Sequence, residues 1–183
     1  MKTMILGGAF ASLAMTAATA AVVPAPLVPQ TEPMAPAQMA MPRDAMGYAR
    51  MAGAGDLYEI ESSRLAQQKA GSGAVRQFGQ MMIEHHTMTT QQLTSAARAA
   101  GMTPPPPALE PRQQKMVDEL RSLSGAQFDA AYLRQQGMAH QEALALHSGY
   151  AENGDNAALR KVASAAVPIV QRHIDLLARL PKD

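Results

Sequence analysis

The chain has 183 residues, with 16 Lys or Arg against 15 Asp or Glu. That balance supplies no basic stripe for phosphate binding, so nucleic acid is not an expected partner. There is no cysteine, which removes disulfides, thiolate catalysis and zinc–thiolate sites from consideration.

The start reads as a secretory signal peptide. Met1 and Lys2 give a positive head, Ile5 to Met15 an apolar stretch, and Ala18-Thr19-Ala20 a small-residue cleavage signal, so the cut is expected after Ala20. Loss of Lys2 lowers the basic count to 15, equal to the acidic count. The apolar stretch is too short for a comfortable membrane span, and no later segment is long and apolar enough to be one. The mature chain is expected to be exported without a transmembrane segment, in the periplasm or associated with the outer membrane; an uncleaved anchor is the alternative. Residues 21–43 carry Pro24, Pro26, Pro29, Pro33, Pro36 and Pro42 and read as an extended, disordered linker. Residues 44–183 are then long enough for one helical domain.

Asp44 is a suitable N-cap for a first helix running to about Lys69, with a bend expected near Gly53–Gly55. Its stripe is read as Met51, Gly55, Tyr58, Ser62, Leu65 and Lys69, with Glu59 on the shoulder. Gly71-Ser72-Gly73 turns the chain. A second helix spans about 74–100, with Val75, Phe78, Met82, His86, Thr89, Leu93 and Ala97 in line and Gly101 as its stop. Pro104 to Pro107 form a stiff crossover, and Pro111 opens a short helix to Leu123. A third long helix runs from about Ala126 to Asn153, with the stripe Phe128, Tyr132, Gln136, Ala139, Ala143, Leu146 and Tyr150, and with His140 and His147 on its flank. The fourth spans about 156–180, with Leu159, Val162, Ala163, Ala166, Val170, His173, Ile174 and Leu177 inward and a kink expected at Pro168. Four long helices with one long connection predict an all-α, ferritin-like four-helix bundle with a crossover and a short extra helix.

Each long helix offers one candidate ligand: Glu59, His86, His140 and His173, with His85 as a weaker fifth. Imidazole and carboxylate suit zinc, copper, iron, nickel or manganese. A di-iron centre of the ferritin type needs Glu-x-x-His motifs, and this chain has none. The competing reading is structural: a histidine on an apolar face is commonly satisfied by a hydrogen bond, and Tyr58, Tyr132 and Tyr150 could serve, as could a pairing with Glu59. Convergence of the candidate side chains to within roughly 5 Å would favour a metal site, and scatter along the axis a structural one. Met81, Met82 and Met88 flank His85 and His86, and Met34, Met39, Met41, Met46 and Met51 lie in or after the linker, so Cu(I) held by thioethers is one version of the metal reading; gap-filling in the core is the other reading of those residues.

Several blocks resemble a known family. They are Ala54-Gly55-Asp56-Leu57-Tyr58-Glu59, Leu65 to Ala70, Val75 to Thr87, Gly125 to Tyr132 with His140-Gln141, and Val167-Pro168 with His173-Ile174. In this order they resemble the bacterial domain-of-unknown-function family 4142 over about residues 46–180. The resemblance implies an exported bacterial protein with a ferritin-like bundle and no established activity. Its members often carry an outer-membrane label, although nothing here alternates like a barrel strand. Where the family pattern has an Asp before the histidine at 86, this chain has His85, which removes that carboxylate and adds a ligand.

No nucleophile elbow, phosphate loop or dinucleotide fingerprint is present. The leading functional class is therefore a non-enzymatic envelope protein, stress-related or bound to an envelope partner. The second is a metal-binding protein using Glu59, His86, His140 and His173, and the third a redox enzyme using that metal.

Overall fold

The computed structural model describes residues 41–181; the segments read as a signal peptide and, up to residue 40, as a linker lie outside the described residues. Among the described residues there are five helices and no strand: α1 (Ala45–Lys69), α2 (Gly73–Ala99), α3 (Pro111–Ser122), α4 (Gly125–Asn153) and α5 (Ala157–Leu177). The expected elements are all present. α5 continues through Pro168 and ends at Leu177, earlier than the periodicity suggests.

The helix ends follow from local chemistry. The Asp44 carboxylate accepts the Gly47 N–H, the Ser72 hydroxyl accepts that of Ala74, and the Asn156 side chain accepts those of Ala158 and Leu159. Pro111 opens α3 behind a Glu110/Gln113 capping box. Gly101, at φ 75°, leads the chain out of α2 in a conformation that side chains disfavour.

The four long helices pack in a closed ring, α1 on α2 and α4, and α5 on α2 and α4, while α3 lies against α1 and α4. Two apolar clusters fill the ring. One holds Tyr48, Ala49, Ala52, Leu93, Ala97, Leu146, Tyr150, Leu159 and Ala163. The other holds Ala66, Val75, Phe78, Met82, Phe128, Tyr132 and Leu177. The first takes the early residues of α1 and α5 and the late residues of α2 and α4, so α1 and α5 run one way and α2 and α4 the other. Between the clusters in sequence, on all four helices, lie the buried polar residues Asp56, Glu59, His86, Gln136, His140 and His173.

Polar braces fix the register of this layer. Asp129 on α4 accepts the N–H groups of Gly71 and Ser72 at 3.1 and 2.7 Å, tying the α1–α2 turn to α4. Lys69 Nζ donates to the carbonyls of Arg121 and Leu123 at the end of α3. At the opposite end the Asp155 N–H donates to the Arg43 carbonyl at 3.0 Å, so the last residues of the segment read as linker lie against the bundle. No described helix is long and apolar enough to cross a membrane.

The α1–α2 approach depends on Gly79. A Cβ there would meet Ala66 Cβ at 3.1 Å and the Ser63 carbonyl oxygen at 3.3 Å. Gly79→Val should therefore lower stability by about 1–3 kcal/mol through overpacking. Urea unfolding reads this directly; an unchanged midpoint would mean that the two helices are not in contact at this point.

Candidate metal centre

The buried face of α1 is set by Ala45, Tyr48, Ala52, Asp56, Glu59, Ser63 and Ala66. Tyr58 and Ser62 of the stripe read in the sequence are buried too, so the buried face includes part of that stripe and extends about one residue, about 100° around the helix, beyond it. Apart from Tyr48 the row is made of small residues and two carboxylates, so a search for large apolar residues passes over it. Asp56 is the functional residue missed in this way. It could have been found from its position one turn before Glu59 on the Ala45–Tyr48–Ala52 row.

Asp56 is 8% exposed and saturated with donors. Its Oδ1 accepts His86 Nδ1–H at 2.8 Å and the Thr89 hydroxyl at 2.9 Å, and its Oδ2 accepts the Thr90 hydroxyl at 2.9 Å. The carboxylate partner of His86 thus comes from α1 and not from the preceding residue. His86 Nε2 then points away from Asp56, is buried and has no hydrogen-bond partner.

His140 Nδ1 donates to the Gln136 carbonyl at 2.9 Å, one turn back on α4. His140 Nε2 faces His173 Nδ1 at 3.2 Å. His173 Nε2 in turn meets His85 Nδ1 at 2.7 Å, and those two rings are stacked. One ring nitrogen from each of His86, His140 and His173 lies within 4.8 Å of the other two, and all three side chains are buried. The sequence-predicted histidines therefore converge.

Glu59 and His85 flank this group without entering it. Glu59 Oε1 lies 3.6 Å from His140 Nδ1, the outward nitrogen, and Glu59 Oε2 has no partner. His85 stands behind His173. The tyrosines expected to satisfy the histidines are used elsewhere: Tyr58 donates to Gln135, Tyr132 pairs with Ser63, and Tyr150 donates to Asp155. The methionines disperse as well. Met82 is fully buried in an apolar cluster, Met81 packs beside it, Met51 packs on the other cluster, and Met41, Met46 and Met88 are exposed. Met34 and Met39 lie outside the described residues.

The electrostatics divide the imidazoles. Burial pushes His86 down, but the Asp56 hydrogen bond and the charges of Asp56 and Glu59 outweigh it and hold its pKa above the ordinary value. Burial lowers His140 despite the pull of Glu59. Burial, followed by the neighbouring His140, His86 and His85, drives His173 down to about 2, so this ring is neutral at any ordinary pH. His85 is lowered as well, chiefly by burial and by His86.

The comparisons with known proteins agree with this architecture. The model for the domain of unknown function DUF4142 matches residues 29–180. The chain belongs to the DUF4142 family. No curated protein matches it by sequence. Among solved structures, the DUF4142 chain resembles a DUF305 protein of Streptomyces coelicolor at TM-score 0.61 and 15% identity, over 74% of this chain and 91% of that one. A DUF305 fragment of Deinococcus radiodurans gives TM-score 0.63 at 16% identity, over 74% and 96%. CopM in its Cu(II)-bound form gives TM-score 0.62 at 15% identity, over 74% and 94%. At these identities the likeness concerns the fold.

A fifth histidine gives a check on the electrostatics away from the cluster. Tyr48 is fully buried, its hydroxyl is held protonated by burial, and it is hydrogen-bonded to His147 Nδ1 at 3.0 Å. Burial, against the pull of Asp56, pushes His147 down to about 4 from its ordinary 6.5. The folded state keeps this ring neutral while the unfolded chain protonates it. The stability it contributes is complete above pH 6.5 and is lost as pH falls towards 4. The loss is about 1.4 kcal/mol per pH unit, on the order of 2 kcal/mol by pH 5. Denaturant unfolding between pH 7 and 5 should show His147→Gln declining less steeply than wild type by that amount; equal slopes would contradict the assignment.

Proposed function

We propose that this DUF4142 chain is an exported protein of ferritin-like, four-helix architecture whose bundle binds one transition-metal ion through His86, His140 and His173. The observation that carries the reading is the state of the three rings. Their inner nitrogens converge, and the outer nitrogen of each is already held, by Asp56, by the Gln136 carbonyl and by His85. Metal-binding histidines characteristically have such outer partners, which fix ring orientation.

The donor set fits a metal on further grounds. His86 Nε2 is a buried, unpartnered nitrogen, and Glu59 Oε2 and Gln136 Oε1 are buried, unpartnered oxygens. Unpartnered buried polar atoms are costly, and a cation at the inner face would take up the lone pair of neutral His86 Nε2. The separation of His140 Nε2 and His173 Nδ1, 3.2 Å, is near the ~3.3 Å edge of a tetrahedron with metal–nitrogen bonds of about 2.0–2.1 Å. Asp56 and Glu59 offset the charge of a divalent ion. Three imidazoles favour zinc or copper, and CopM, solved with Cu(II) and with Ag, supports a metal of that softness. When bound, the metal supplies a Lewis-acidic centre; the chain's own residues hold the three rings in register, exclude bulk water and balance the charge. Export rests on the charged start, the apolar stretch and the Ala18-Thr19-Ala20 signal. This metal reading displaces the purely structural envelope protein as the first choice.

Chelator-treated protein should gain thermal stability on addition of Zn(II) or Cu(II), by about 2.7 kcal/mol at a hundredfold excess over the dissociation constant. His140→Ala should abolish the gain. It should also destabilise the metal-free protein, because the Gln136 carbonyl and His173 Nδ1 each lose a partner. A panel that includes Mn(II) and Fe(II) completes the test. If no metal raises the melting temperature while His140→Ala still lowers it, the layer is structural and the proposal fails.

A further inference from the structure

Two methionines that stay clear of the converging nitrogens stand on either side of His85 along the outer face of α2. We propose that Met81, His85 and Met88 form a second metal site, at the surface, that takes a soft monovalent ion of the Cu(I) and Ag(I) class. The site shares no ligand with the three core histidines, so it stands or falls apart from the reading above.

The placement follows from helix geometry. Met81 and His85 are four residues apart, and His85 and Met88 three. At both spacings helical side chains are neighbours, with Cβ atoms about 5–6 Å apart. Met81 and Met88 lie about 20° from each other around the axis, and His85 is about 40–60° from both. Along the axis the methionines stand about 6 Å before His85 and about 4.5 Å after it. Helical side chains lean towards the N-terminus, which carries the Met88 thioether back over His85. Met81 is unbranched, with three rotatable bonds, and can turn its sulfur to the same point.

The three side chains are open to solvent in a way the core set is not. His85 is half-buried; its Nδ1 is taken by His173 Nε2 at 2.7 Å, and its Nε2 makes none of the described hydrogen bonds. Met88 is 51% exposed, and Met81 is half-buried at the edge of the apolar cluster that holds Phe78 and Met82. Spacing singles this group out. Among the described residues the exposed large apolar side chains are Met41, Met46, Met88 and Met138. Met46 and Met138 have no histidine three or four residues away, and Met41 precedes α1. Of the four, Met88 alone has an imidazole one turn away on its own helix.

The donor chemistry sets the class of ion. Thioethers are soft ligands that select Cu(I) over harder divalent ions. The surrounding charge agrees. Glu84 and Arg172 are felt at His85 with opposite signs, and Glu84 already accepts from Gln80 Nε2 at 2.8 Å. The surface offers little net negative charge to a divalent ion, whereas the core layer has Asp56 and Glu59 beside its imidazoles.

NMR of protein carbon-labelled at the methionine methyls tests the proposal, with Ag(I) as the probe because it needs no reductant. Ag(I) should shift the methyls of Met81 and Met88 and the ring of His85, and leave Met46, Met82 and Met138 in place. Met81→Leu and Met88→Leu conserve volume and leave the core histidines untouched. Each should weaken Ag(I) binding at this site by about tenfold or more, since loss even of a ligand's hydrogen-bond partner costs that much. Zn(II) should bind both variants as it binds wild type. If Ag(I) shifts Met46 and Met138 as strongly as Met88, the thioethers bind adventitiously and the proposal fails. If only the rings of His86, His140 and His173 respond to Ag(I), or if both variants bind it as wild type does, the surface site is wrong and the core reading stands. If Met81, Met88 and His85 respond to Ag(I) while Zn(II) leaves the core rings unchanged, the surface site stands and the core reading fails.

Discussion

The structure turns on one constraint: polar side chains from all four long helices are buried between two apolar clusters of alanine, aliphatic and aromatic residues. Asp56, Glu59, His86, Gln136, His140 and His173 are each less than a tenth exposed. Burying such groups is costly unless each finds a partner. Asp56 meets the condition fully, through one imidazole and two hydroxyls. The histidines meet it on their outer edges, and on the inner side only His140 and His173 face each other, at 3.2 Å. What remains unpartnered, a nitrogen of His86 and oxygens of Glu59 and Gln136, consists of atoms that can donate electron pairs. Among the described residues, no side-chain donor reaches these atoms.

The rest of the fold keeps that layer in place. Apolar clusters on either side in sequence exclude water and fix which turn of each helix faces the axis. The Asp129 brace links the α1–α2 turn to α4, and so sets α2, which carries His86, against α4, which carries His140. The close passage at Gly79 sets α1, which carries Asp56, against α2. A slip of one residue would turn these side chains by about 100° and dismantle the set. Preorganisation of this kind matters more for a metal site than the number of ligands, because a ring held in the correct orientation loses little freedom on binding.

Much of this was legible in the chain. Glycine, proline and capping residues marked the helix ends within a few residues, and the regular apolar rows of α2 and α5 placed His86 and His173 inward. His140 was read on a flank and is in fact 1% exposed, because α4 buries a face broad enough to include Gln135 and Gln136. α1 was read too narrowly: Tyr58 and Ser62 are buried as expected, but the adjoining row through Asp56 was left out. Apart from Tyr48 that row is Ala, Ser and two carboxylates, and hydrophobic periodicity carries little signal when the inward residues are small or charged. Asp56 was lost for that reason, and with it the origin of His86's partner. The role of His85 was illegible for a different reason. Whether a histidine ligates or backs another ligand depends on which ring nitrogen faces which neighbour, and spacing along a helix does not encode this.

The most direct test is the metal content of the untagged protein isolated from its native host, measured by plasma mass spectrometry. The account predicts on the order of one zinc or copper ion per chain, as a single site with three imidazole ligands requires. Folded protein carrying no transition metal at a significant fraction of its concentration, and gaining none on dialysis against Zn(II) or Cu(II), would contradict it.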